Sequence, residues 1–404
     1  MEYWFQEQQA RIRHLPTTKR FLYHSIDWSG RCVGILGARG TGKTTLMLQH
    51  LREHFLGMET ALYISLDHPK FQKESLLEFG QRFVRHGGHT LLLDEVHKYP
   101  DWSVHIKTLY DSCPDLYIVF SGSSLLKLQE QDADLSRRAV IYLLHGLSFR
   151  EFLNLSAQLD LPSLDLEAIF DNHASLAAEL TAHFKPLAYF DTYLRSGYYP
   201  FFLEGLDTYL LKLNEVIRQV LETDLPFVKH TDIGQIAKLK KLLLMLAANI
   251  PTKLNIQKLS SATEISRPSL YEYLNHLEGA RLLNSVNHQG RGQKVLAKPG
   301  KMYLENTNLA HTLAERVNPG SIRETFFVNQ VYNSTALHPL LGKNPLALAS
   351  KGDFIINNRW TVEVGGRSKG LSQVSRVQES FVAADDLEVG SGRKIPLWLF
   401  GFLY

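Results

Sequence analysis

The chain has 404 residues, 44% hydrophobic and 21% charged, a composition that excludes a disordered polypeptide and suggests about two to four domains. Lysine and arginine number 44 against 41 acids, a net charge of +3, so the protein is not basic throughout, although one basic domain is compatible with that total. Two cysteines, Cys32 and Cys113, are too few for a disulfide framework and suit a reducing compartment. Residues 1–20 lack the apolar stretch of a signal peptide, and the runs 242–248 and 395–404 fall short of the ~20 residues that cross a membrane. The expectation is a cytoplasmic protein of several domains with no membrane segment.

Segments 33–36, 61–66, 90–93 and 117–120 are short apolar runs rich in strand formers. Helical spacing fills the intervals between them, as in 44–55, so the first 150 residues predict a parallel α/β sheet. The run Gly37-Ala38-Arg39-Gly40-Thr41-Gly42-Lys43-Thr44 leaves the first strand and opens the first of these helices, the context that the phosphate-binding loop G-x-x-x-x-G-K-[ST] requires. Glycines let backbone N–H groups curl around phosphate, and the helix N-terminus adds positive potential. Residues 37–44 with Thr45 are therefore the expected ATP-binding set, with Lys43 on the β- and γ-phosphates and Thr44 on Mg2+.

About 50 residues later, the apolar run 90–93 ends in Asp94-Glu95. Two carboxylates at the C-terminal edge of a parallel sheet lie where ligands bind. Asp94 is assigned to Mg2+ and Glu95 to the attacking water. The following strand runs into Ser121-Gly122-Ser123-Ser124; Ser121 and Ser123 are candidates to sense the γ-phosphate, and a helix N-cap is the structural alternative. Arg137 and Arg138 precede the strand 139–143, and either a solvated pair or an arginine finger reaching a neighbouring subunit fits them.

Charge then divides the chain. Segment 151–225 holds twelve acids and four bases, a net of −8; segment 226–300 holds eleven bases and four acids, a net of +7. That swing predicts a boundary near Pro226. The acidic segment reads as helical, broken at 197–200. The basic one reads as three helices, 233–249, one opened by Asn255, and one N-capped by Ser266 and ended by Gly279. A hairpin of 282–286 with 294–297 follows, giving a winged helix-turn-helix. On that reading Arg267, Ser269, Tyr271 and Asn275 meet the major groove of double-stranded DNA, and Arg291 and Lys294 meet phosphate; a packing or protein-contact role is the alternative. The last hundred residues predict a helix near 321–333 and strands near 353–357, 360–364 and 395–403. Glu324 on that helix, Asp353, and Glu363 follow the order of acids in restriction-endonuclease-like folds. Gly365 stands where such a site has lysine, and Arg367 or Lys369 could replace it from the loop; a nuclease-like fold without activity, with Asp353 and Glu363 at strand ends on a polar edge, is the favoured alternative.

The stretch Leu92–Trp102, the Ser121–Ser124 segment, Leu147-Ser148-Phe149-Arg150-Glu151-Phe152 and Ser196-Gly197-Tyr198-Tyr199-Pro200 together resemble bacterial and archaeal AAA-type ATPases that carry an uncharacterised C-terminal domain. The resemblance implies an AAA-plus core at 1–150, a helical lid at 151–225, the winged helix at 226–300 and a nuclease-like mixed α/β domain at 301–404. It also matches Arg138 to the family's arginine, although the family's preceding Gly is Arg137 here. The combined expectation is an ATP-hydrolysing, Mg2+-dependent switch or motor that acts on nucleic acid and forms a homo-oligomer. An ATP-gated DNA nuclease, or a module whose nucleotide state sets which protein partner is bound, are the alternatives.

Overall fold

The computed structural model describes residues 1–125, 135, 137–226, 233–249, 251, 255–288, 300–335 and 345–404. The chain divides into two compact units. The first is Met1–His145 with a stretch that returns at Asp224, and the second holds Gly146–Thr223 and most of the remainder.

The first unit opens with helix α1 (Glu2–Ile12) and then alternates β1 (Cys32–Gly37), α2 (Lys43–Phe55), β2 (Ala61–Ser65), α3 (Leu76–Arg85), β3 (Thr90–Asp94), α4 (Trp102–Ser112), β4 (Tyr117–Ser123) and β5 (Val140–Leu143). The five strands form one parallel sheet in the order β2-β3-β4-β1-β5. Side chains alternate across it. Leu36, Leu91, Leu93, Ile118 and Phe120 face one apolar layer with Phe79, Phe83, Ile106 and Leu109. Val33, Ile35, Leu92 and Val119 face the other, with Leu46, Leu51 and Tyr142. Burial on both faces explains why these strands read as unbroken apolar runs. Gly34 has a packing reason: a Cβ there would lie 2.6 Å from Phe120 Cζ. The expected parallel α/β sheet is the observed fold.

The second unit begins with four helices, α5 (Phe149–Ser156), α6 (Leu166–Thr181), α7 (Pro186–Ser196) and α8 (Tyr209–Gln219). Ser148 and Glu151 close a reciprocal capping box on α5. The expected break at 197–200 is present, and Pro200–Glu204 forms a 3-10 turn. A π-helical turn spans Val220–Asp224. Three helices follow, α9 (Ile233–Ala247), α10 (Ile256–Thr263) and α11 (Arg267–Gly279). Asn255 caps α10 by accepting from Lys258 N–H at 2.9 Å, and Ser266 caps α11 through Ser269 N–H at 3.3 Å. Glu264, at φ 58°, makes the left-handed turn between them. Strand β6 (Leu283–Val286) pairs antiparallel with β7 (Lys301–Leu304). The partner expected at 294–297 lies outside the described residues.

Helices α12 (Thr307–Leu313) and α13 (Pro319–Thr335) precede a mixed sheet of β8 (Leu346–Leu348), β9 (Phe354–Ile356), β10 (Trp360–Gly365), β11 (Ser380–Ala384) and β12 (Lys394–Pro396). Its order is β12-β11-β10-β9-β8, parallel across β10–β11–β12 and antiparallel elsewhere. The strand expected at 395–403 is shorter: Leu397–Phe402 is a 3-10 turn whose six residues are all buried. An apolar run enclosed on every side carries no period that separates strand from helix. A polar network fills part of the interior. Glu305 accepts from Tyr198 Oη and Asn306 Nδ2, both at 2.7 Å, and burial raises its pKa.

Candidate functional site

Residues 37–43 wrap from the C-terminal end of β1 into α2. Gly40 and Gly42 take φ of 82° and 94°, the left-handed region that glycine enters without strain. Gly42 occupies the N-cap of α2 and no side chain caps that end, so the first N–H groups of a 13-residue helix point outward without a side-chain acceptor. Two interactions pin the loop. Thr41 Oγ1 donates to Ala38 O at 2.9 Å, and the buried Arg20 guanidinium donates to Thr41 O at 2.6 Å and His145 O at 2.8 Å. Lys43, 6% exposed, donates from Nζ to Gly37 O at 3.1 Å and Ala38 O at 2.9 Å. Burial lowers its pKa, against the opposing pull of Glu95, Asp94 and Asp224. A buried ammonium curled among carbonyl oxygens, beside uncapped amides, fits a polyphosphate.

Asp94 ends β3, and its carboxylate accepts four hydrogen bonds. Oδ2 accepts from Thr44 Oγ1 and Tyr63 Oη, both at 2.7 Å. Oδ1 accepts from Ser121 Oγ and from Glu95 N–H at 3.1 Å. The hydroxyl of Thr44 and the carboxylate of Asp94 are hard oxygen ligands held side by side, a donor set that fits Mg2+. Glu95 sits at φ 54°, ψ 40°, a left-handed conformation that costs a non-glycine residue ~1–3 kcal/mol and is found at functional sites. Arg39 and Thr45 are half-buried at either end of the loop.

The two serine candidates separate. Ser121 bonds Asp94, whereas Ser123 Oγ accepts from Leu125 N–H at 3.3 Å, the capping alternative. Ser123 contributes instead through its backbone, whose N–H donates to His97 Nδ1 at 3.3 Å. His97, 2% exposed, turns Nε2 toward Glu95 Oε2 at 3.5 Å and Asp224 Oδ1 at 3.8 Å. Asp224, also 2% exposed, takes Lys98 Nζ at 2.7 Å and Arg39 Nη1 at 3.3 Å. Burial alone would raise the pKa of Asp224, but His97 and Lys98 outweigh it and hold the carboxyl below the usual range. Neither His97 nor Asp224 stands out in the sequence. His97 lies inside the stretch after Asp94, and Asp224 is one of twelve acids in its segment.

Arg138 is not brought to this site. It precedes β5, whose Val140 pairs with Val33 at the N-terminal end of β1, the sheet edge opposite Lys43. Its guanidinium grips Asp111 through Nε–Oδ1 and Nη2–Oδ2, each at 2.9 Å. In the second unit, Arg267 and Asn275 are exposed on α11 and Ser269 and Tyr271 half-buried, while Arg291 and Lys294 lie outside the described residues. Glu324 accepts from Lys301 Nζ at 2.5 Å and Tyr303 Oη at 3.0 Å. Asp353 accepts from Val364 N–H at 2.8 Å. Glu363, 1% exposed, pairs with Lys369 Nζ at 2.6 Å. Lys369 thus supplies the cation that the sequence lacks at Gly365, folding so closely over it that a Cβ there would meet Lys369 Cγ at 2.7 Å. Among the described residues no three His, Cys, Asp or Glu are grouped to hold a metal ion; Glu363, Asp353 and Glu324 all raise the pKa of the Lys369 ammonium, the hydrogen bond to Glu363 most. Among the described residues no helix is long and apolar enough to cross a membrane.

Residues 29–153 match the family model described as an AAA domain, and residues 187–319 match one described as a domain of unknown function. Two uncharacterized proteins of Methanocaldococcus jannaschii are similar to the chain. MJ1637 is 28% identical over 89% of this chain and 81% of its own length. MJ1544 is 23% identical over 72% of this chain and 64% of its own length, so the chain spans less than two thirds of that relative. Among solved structures, the Aeropyrum pernix ORC1 protein in complex with DNA aligns over 69% of this chain and 85% of that one, at 15% identity and a TM-score of 0.28.

Proposed function

We propose that this protein, whose residues 29–153 match an AAA domain, binds ATP with Mg2+ at residues 37–45, hydrolyses it, and couples turnover to double-stranded DNA. The observation that carries the reading is the convergence of Lys43, Thr44 and Asp94 at one sheet edge, with Glu95 next in the chain. Mg2+, held by Thr44 and Asp94, would neutralise charge on the β- and γ-phosphate oxygens. The amides of the loop and the ammonium of Lys43 bind and orient the polyphosphate. Glu95 accepts a proton from water and aligns it, and Ser121 keeps Asp94 in place through its hydrogen bond. Arg138, on the opposite edge, serves a neighbouring copy's nucleotide once released from Asp111. The exposed Arg267 and Asn275 on a helix-turn-helix, in a segment of net +7, support DNA as the coupled partner.

The test is steady-state ATP turnover with and without double-stranded DNA at two salt concentrations, in wild type, Lys43→Ala and Glu95→Gln. Turnover that rises with DNA, falls at least ~100-fold in Glu95→Gln with binding retained, and loses binding in Lys43→Ala is the expected result. Turnover indifferent to DNA would redirect the coupling to a protein partner. Binding without turnover in wild type would leave a nucleotide-gated interaction module.

A further inference from the structure

The chain leaves the first unit after His145 and comes back to it at Asp224, the last residue of the π-helical turn Val220–Asp224. Turns of this type are rare and concentrate at functional sites. The returning residue plants a buried carboxylate on three side chains of the nucleotide site: Arg39 from the phosphate-binding loop, and Lys98 and His97 from the segment after Glu95. His97 accepts from Ser123 N–H at Nδ1, and its Nε2 faces Glu95 Oε2 at 3.5 Å and Asp224 Oδ1 at 3.8 Å without a hydrogen bond to either. One imidazole therefore stands between the strand that carries Ser123, the Glu95 carboxylate and the returning chain.

We propose that Asp224 and His97 are positioning residues that hold Glu95 and tie its placement, and the occupancy of the phosphate-binding loop, to the segment connecting the two units. The proposal rests on the ATPase reading for the role of Glu95. The tie itself follows from charge. Asp224 is kept ionised by cations that it shares with the nucleotide site, and a bound polyphosphate competes directly for Arg39. Loss of γ-phosphate changes that competition, so the grip on Asp224 differs between ATP and ADP. Because Asp224 closes the π-turn, its grip sets the exchange protection of the backbone leading into it.

The experiment uses the full chain, with Asp224→Asn and His97→Gln as near-isosteric variants, His97→Ala, and the double variant Asp224→Asn/His97→Ala. Three quantities are read: nucleotide affinity with a fluorescent ATP analogue, kcat and KM separately, and amide exchange of residues 216–226 with ADP against a non-hydrolysable ATP analogue. Affinity within ~3-fold of wild type, kcat altered at least ~10-fold, and collapse of the ADP-to-ATP difference in exchange are expected in Asp224→Asn and in His97→Ala. His97→Gln, which retains a donor near Glu95, recovers part of kcat. The double variant is no worse than the more severe single one, because the two residues act as a unit. Wild-type kcat with a wild-type exchange difference in Asp224→Asn would overturn the proposal, as would single effects that multiply in the double variant. If wild type binds ATP without turnover, the ATPase reading and the role assigned to Glu95 fall together. The exchange difference then still supports or overturns the tie at Asp224.

Discussion

His50 shows how one side chain sets a pH dependence. It lies buried on α2 with its ring stacked on Trp28 at 3.9 Å and 7°. Burial, with a smaller contribution from His54, pushes its pKa from 6.5 down to about 4. Between those values the unfolded chain binds a proton that the folded chain refuses, so stability rises with pH through this window. It is fully present above 6.5 and is lost as pH falls toward 4. The contribution is on the order of 3 kcal/mol. Urea unfolding between pH 4.5 and 7 should show a rising midpoint in wild type and a flatter one in His50→Phe, which keeps the stack and cannot titrate. The sequence gives no hint of this residue, since a histidine on a helix face reads as exposed until Trp28 covers it. The same limit applies to Asp224. Lys43, Thr44, Asp94 and Glu95 were expected from two local patterns, a glycine-rich loop after one strand and an acid pair after another, whereas no local pattern marks Asp224, which meets Arg39 across 185 residues of chain.

At the scale of elements, the join of β1 to the phosphate-binding loop has no spare room. A Cβ on Gly37 would lie 2.3 Å from the carbonyl oxygen of Leu144, a backbone atom that cannot rotate away. Gly37→Ala should therefore cost about 1–3 kcal/mol in denaturant unfolding and weaken ATP binding by moving the loop. Wild-type values for both would show that β1 and the strand end beside it shift without penalty. The first-unit strands were readable because each is a buried apolar run bounded by turn residues. The helices α10 and α11 were readable from their caps, Asn255 and Ser266. Two strands of the mixed sheet, β8 and β11, were not anticipated: three and five residues long, they take their extended form from β9 and β10 beside them. Likewise the pairing of β6 with 301–304 was not anticipated; Met302, Tyr303 and Leu304 there are buried.

For the whole molecule, the placement of Arg138 makes a prediction about assembly. It stands at the sheet edge away from its own Lys43, so any contribution to hydrolysis comes from a second copy. Mixing Arg138→Ala with Lys43→Ala, each inactive alone, should restore a measurable share of turnover, because an intact Lys43 in one copy meets an intact Arg138 in the other. Mixtures that stay inactive would assign Arg138 to holding Asp111 within its own chain. The return of the chain at Asp224 also constrains birth on the ribosome. Residues 1–145 emerge with Arg39 and Lys98 lacking their shared carboxylate, and the 79 residues up to Asp224 must be made first. At ~5–20 residues per second that interval is roughly 4–16 s. Through it Arg39 and Lys98 stand without the carboxylate that pairs them in the finished chain, so two cations wait on the last residue of a turn made long after them.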